Sequence, residues 1–145
     1  MTDLAKNKAP SWFMIISVVL LIWNLLGVIA YLHQVTMGPE ALAALPAEQR
    51  QVMENTPVWA TAAFAVAVNC GTLGCLLLLL KKSLAGLFLQ LSLAAVLVQM
   101  YHAFFIAHAL EVFGPAGMVM PVTVIIIAVF QVVLAARARV NRWTT

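Results

Sequence analysis

Of the chain's 145 residues, 64% are hydrophobic and 9% charged, and the formal net charge is +3. Soluble domains carry roughly 25% charged residues, so this composition excludes an ordinary water-soluble globule and points to a single domain that places most of its surface in lipid. The excess of positive charge does not indicate a nucleic-acid partner, because the basic residues are scattered at the ends of apolar runs, where orientation and anionic headgroups account for them.

The first apolar run extends from Trp12 to about Val35, and three more follow at about 58–80, 84–107 and 118–136. Each approaches the roughly 20 residues that a helix needs to cross about 30 Å of hydrocarbon, and none contains Asp, Glu, Lys or Arg. The runs are continuously apolar, whereas strands of a membrane barrel would alternate apolar and polar residues. The fold class is therefore all-α: an integral membrane four-helix bundle formed by residues 1–145. Lys6 and Lys8 before the first run give it the look of a secretory signal, but it is longer than an h-region and lacks a convincing cleavage site, so it is expected to be retained.

The connection between the first two runs, from Thr36 to Pro57, is the longest polar segment. Pro39-Glu40-Ala41-Leu42 and Pro46-Ala47-Glu48-Gln49 each place Pro at a first helical position with an acid in the first turn, which predicts two short amphipathic helices. Leu42, Leu45, Val52 and Met53 would face the bundle or lipid, and Glu40, Glu48, Arg50 and Glu54 would face water. The segment could be a lid over a central cavity; a plain connector is the simpler reading. The second run carries the small residues Ala60, Ala63, Ala67, Gly71 and Gly74 on one face, suited to close helix approach within the bundle or between copies. Its Cys70 and Cys75 lie about 140° apart around a helix and cannot pair with each other. A tight Lys81-Lys82 turn leads to the third run, and Glu111-Val112-Phe113-Gly114-Pro115 punctuates the passage to the fourth. The Gly-Pro pairs at 38–39 and 114–115 hint at a duplicated hairpin.

Orientation follows from the cations. Lys6 and Lys8, Lys81 and Lys82, and Arg137, Arg139 and Arg142 fall on one side of a chain that crosses four times, with Arg50 alone on the other. The positive-inside rule then puts both termini in the cytoplasm, and Asp3 is the one acid on that side. Trp12, Trp59, Tyr101 and Trp143 are placed as interfacial anchors, with Trp23 deeper.

Within each run the polar side chains form a stripe: Asn24, Gly27, Tyr31 and Gln34; Thr61, Ala65, Asn69 and Thr72; Ser92, Ala95, Gln99 and His102; Thr123, Ile127 and Gln131. Asn24 and Asn69 are near mid-span, so a hydrogen bond between them across the first hairpin is expected. The candidates for a polar pathway, or for polar packing, are Asn24, Tyr31, Asn69, Gln99 and His102. His33, His102 and His108 all belong to the outer half and form a second candidate set for a metal or proton site, although His102 and His108, six residues apart, would point in different directions on a regular helix. Interfacial histidines making local hydrogen bonds are the simpler reading, and no metal or cofactor site is assigned. No catalytic constellation is present: there is no nucleophile–base–acid arrangement, phosphate-binding glycine loop or paired intramembrane carboxylate, so the chain is not read as an enzyme.

The first span lacks the carboxylate that small multidrug-resistance transporters carry there, which argues against that assignment. Trp23-Asn24-Leu25-Leu26-Gly27-Val28 with Tyr31 and Gln34, Pro57-Val58-Trp59-Ala60-Thr61-Ala62-Ala63-Phe64-Ala65, Gly71-Thr72-Leu73-Gly74 and Glu111-Val112-Phe113-Gly114-Pro115 together resemble a group of bacterial four-span proteins that commonly carry the label sugar transporter. The resemblance implies a multi-pass protein of the bacterial inner membrane and a small polar solute, without assigning residues to it. Trp23, Asn24, Asn69, Gln99 and Tyr101 could supply part of a sugar site, and a homo-oligomer would enlarge the volume that four helices enclose. The competing reading is an accessory or structural membrane protein that acts through helix packing or a partner. A central cavity bounded by Asn24, Asn69 and Gln99 would favour transport, and a filled core would favour the accessory role.

Overall fold

The computed structural model describes residues 7–145, so Asp3 and Lys6, used above for orientation, lie outside the described residues. Among the described residues all regular structure is helical: α1 (Ser11–Val35), α2 (Pro39–Ala43), α3 (Ala47–Glu54), α4 (Val58–Leu79), α5 (Ala85–Tyr101), α6 (Ala109–Phe113) and α7 (Val119–Val140). A π-turn over His102–Ile106 extends α5, and a 3-10 turn over Pro115–Met118 leads into α7. Four helical stretches, Ser11–Val35, Val58–Leu79, Ala85–Ile106 and Pro115–Val140, are long and apolar enough to cross a membrane. The fourth runs one turn past the expected end at Ala136, because Ala-Arg-Ala-Arg is good helix-forming sequence and a basic last turn complements the helix dipole.

The long helices pack in the order α1, α4, α5, α7, with α4 against α5 the most extensive pairing. The small residues of α4 explain this. Ala60, Ala63, Ala67, Gly71 and Gly74 are all buried, and Gly74 lies so close to α5 that a Cβ there would sit 2.6 Å from Leu89. Small side chains let helix backbones approach, which is how helices associate when lipid removes most of the hydrophobic drive. The stripe thus serves packing within the chain.

One end of the bundle is sealed. Phe13, Cys75 and Leu78 are fully buried there together with Leu89, Leu134 and Ala138, so all four long helices contribute to one core. Phe13 packs against Trp143 at a centroid distance of 5.3 Å, and Trp12 meets the same indole edge-on at 5.5 Å. Backbone bonds tie the segments together: Asn7 N–H donates to the Arg142 carbonyl, Ser83 N–H to Thr145, and Thr145 N–H to Lys81. The segment before α1, the Lys81–Leu84 turn and the segment after α7 therefore share this end.

Both helices that finish here use the same cap. After α4, Lys82 N–H bonds the Leu77 carbonyl and Lys81 N–H bonds Leu78; after α7, Trp143 N–H bonds Ala138 and Arg142 N–H bonds Arg139. These are the paired bonds of a Schellman motif, whose left-handed residue is usually glycine. Here Lys81 (φ 56°) and Arg142 (φ 58°) occupy that position. A side chain in this region costs about 1 kcal/mol. Lys81→Gly and Arg142→Gly are each expected to raise stability by up to about 1 kcal/mol, measured as the unfolding midpoint in mixed detergent micelles.

Candidate functional site

Away from the sealed end α1 and α7 are not packed on one another, and a crevice of about 370 Å³ opens between them. Its sides come from α1 (Trp23, Asn24, Leu26, Gly27, Ala30) and α7 (Met120, Pro121, Val124, Ala128, Gln131), and its back from α4 (Phe64, Ala67, Val68) and α5 (Ser92, Val96, Gln99, Met100). The volume falls in the range of roughly 300–1,000 Å³ common to small-molecule sites. No lining side chain is ionisable.

Besides the Trp23 indole, four hydrogen-bonding side chains line this space. The Asn24 carboxamide is buried over Gly71, donating from Nδ2 to the Leu20 carbonyl at 2.8 Å and lying 3.4 Å from Cys75 Sγ. Gly71 is required there: a Cβ would overlap the Asn24 Oδ1 position and come within 3.1 Å of Ser92 Oγ. The Ser92 hydroxyl donates across the helix pair to the Ala67 carbonyl at 2.7 Å. Gln131 is 3% exposed and borders the crevice from α7. Gln99 is half-buried, and its Oε1 is enclosed without a hydrogen-bond partner.

The expected Asn24–Asn69 hydrogen bond is not formed. Asn69 is exposed on the outer face of α4 and bonds its own helix, donating to the Ala65 carbonyl at 2.7 Å. The reason is geometric, since two residues on a helix are about 200° apart and burying Ala67 and Gly71 turns Asn69 outward. A polar side chain in lipid can satisfy its donor locally, so the polar stripe of this span did not mark its inner face. Tyr31 does not line the crevice but packs edge-on against Phe64, which does, at 5.5 Å. Gln131 and Ser92 were visible as members of polar stripes. What could not be read from one helix is that they meet Asn24 in one cavity.

A second cavity, of about 310 Å³, lies beneath α3, lined by Glu48, Gln51 and Val52 from that helix, by Asn55 just after it, and by His102, Ile106, Ala107, His108 and Val112. His102 and His108 thus line the same space, contrary to the different directions expected of a regular helix. The π-turn, closed by Ala107 N–H on the His102 carbonyl at 2.8 Å, and the left-handed backbone of His108 (φ 50°) change the spacing. His102 is 7% exposed and stacks edge-on with Trp59 at 5.4 Å; His108 Nδ1 stands 4.0 Å from Glu111 Oε1 in an exposed pair. His33 is exposed on α1 and does not line this cavity. Among the described residues no group of three or more His, Cys, Asp or Glu side chains could hold a metal ion. Of the three histidines, His102 and His108 share this cavity beside α3 and His33 lies outside it.

The two cavities are one helical turn apart along α5, with Gln99 in the first and His102 in the second. Fold and site together define a helical bundle with four candidate membrane spans and an uncharged crevice between the first and last of them. No family profile, curated protein or solved structure matches this chain.

Proposed function

We propose that this protein is a non-enzymatic transporter of small neutral solutes in the bacterial inner membrane, with both termini and the Lys81-Lys82 turn in the cytoplasm. The observation that carries this reading is the polar line along α5, where Ser92 and Gln99 border the crevice and His102 borders the cavity under α3. The two spaces are neighbouring stations of one path, with α3 over the outer one and the Phe13–Trp143 packing closing the inner end. The uncharged carboxamides and hydroxyl of the crevice suit a neutral hydrogen-bonding solute, since an ion in the crevice would lack a counter-charge. Orientation is supported by Lys8, Lys81, Lys82, Arg137, Arg139 and Arg142 all lying toward the sealed end. The sugar-transporter label and the bacterial location rest on the resemblance given above.

Purified protein in liposomes, offered labelled sugars, polyols and glycosides, tests the reading. Saturable uptake is expected, reduced at least about tenfold in Gln131→Leu and unchanged in Asn69→Leu, whose side chain lies outside the crevice. Absence of uptake above empty liposomes for the whole panel would overturn it and leave the accessory role. A fluorescent protein fused after Thr145 should fluoresce if that terminus is cytoplasmic, and a dark fusion would reverse the orientation.

A further inference from the structure

Apart from Gln99, which stands two helical turns outward of Ser92 on α5, the carboxamides and the hydroxyl of the crevice occupy its inner part. Asn24, Ser92 and Gln131 lie toward the sealed end, whereas Leu26, Ala30, Met120 and Val124, nearer the other end, are apolar. The mouth between α1 and α7 opens sideways, and its rim residues Leu26 and Met120 are 57% and 61% exposed, so a molecule dissolved in the bilayer reaches the crevice without crossing the bundle. A sugar, polar on every side, would leave hydroxyls unpaired against these walls. A molecule with one hydroxyl and an apolar body would not.

We infer that the crevice takes small neutral amphiphiles from the surrounding bilayer, with the apolar body between α1 and α7 and a hydroxyl donor directed to the carboxamides of Gln131 and Gln99. A hydroxyl in hydrocarbon has no partner, and Gln99 Oε1 has none in the fold, so a hydroxyl that the Gln99 side chain turns to meet relieves both deficits. An ionised head is excluded by the same lining, because it would meet no opposite charge. The inference rests on the crevice being the solute site of the proposed transporter and names the class of solute.

The test is photolabelling of the protein in nanodiscs with a medium-chain alcohol carrying a diazirine, read by peptide mapping. Labelling is expected on the crevice-lining segments of α1 and α7, competed by the unlabelled alcohol, but not by the alkane of equal length, the corresponding carboxylate or free glucose. Gln99→Leu should lower labelling about fivefold while leaving the unfolding midpoint equal or higher, because it removes an enclosed acceptor that the fold itself does not satisfy. Ala30→Trp, at the exposed rim, should block labelling without disturbing the core. Competition by free glucose but not by the alcohol would overturn the amphiphile class and leave the solute site standing. Labelling spread evenly over lipid-facing residues, or insensitive to both substitutions, would overturn the crevice itself as a binding site.

Discussion

Phe13→Ala is expected to destabilise the protein by about 3 kcal/mol and to unseal the closed end of the bundle. Phe13 is completely enclosed, touching Trp143 and Trp12 and sharing a core with Cys75, Leu78 and Leu134, so truncation leaves a void that the surrounding helices cannot all close. Two measurements check this. The unfolding midpoint in mixed micelles should fall well below that of Ile15→Ala, which removes a 64% exposed side chain two residues away on the opposite face of α1 and should be nearly neutral. Cys75, inert in the native protein because it has no exposed surface, should become reactive toward a small maleimide in Phe13→Ala.

Gly71→Ala is expected to cost about 2 kcal/mol and to remove solute uptake together. A methyl group at Gly71 takes the place of the Asn24 carboxamide and presses on Ser92, so α1 must withdraw or Asn24 must leave its seat. Either outcome breaks the bond to Leu20 and reshapes the polar part of the crevice. The matched control is Gly86→Ala, where a Cβ meets nothing within 4 Å and the better helix propensity of alanine should hold or slightly raise stability. If Gly71→Ala retained full uptake, the Asn24–Gly71–Ser92 contact would have no part in the site.

The four candidate spans were legible because each is a long uncharged apolar run, and the stripe Ser92, Ala95, Gln99, His102 along α5 and its π-turn does turn inward. The corresponding stripe of α4 misled, since there the interior selected for smallness and Asn69 met its hydrogen-bonding need on its own helix. His102 and His108 were grouped as candidates, but how they come to line one cavity was hidden, because nothing in His-Ala-Phe-Phe-Ile announces a π-turn and a non-glycine residue with positive φ has no composition signal. The crevice was hidden for a different reason. It exists because α1 and α7 diverge, and which two of four apolar helices remain unpaired is a property of the whole packing, not of any one span.

The most direct measurement of the central claim is to bridge the mouth of the crevice and follow uptake. Cysteines placed at Ala30 on α1 and Val124 on α7, with Cys70 and Cys75 replaced by serine and alanine, can be joined by a reducible bifunctional thiol reagent. Solute movement through the space between α1 and α7 predicts that uptake in liposomes stops when the two helices are joined and returns on reduction. Undiminished uptake with the bridge complete would contradict it.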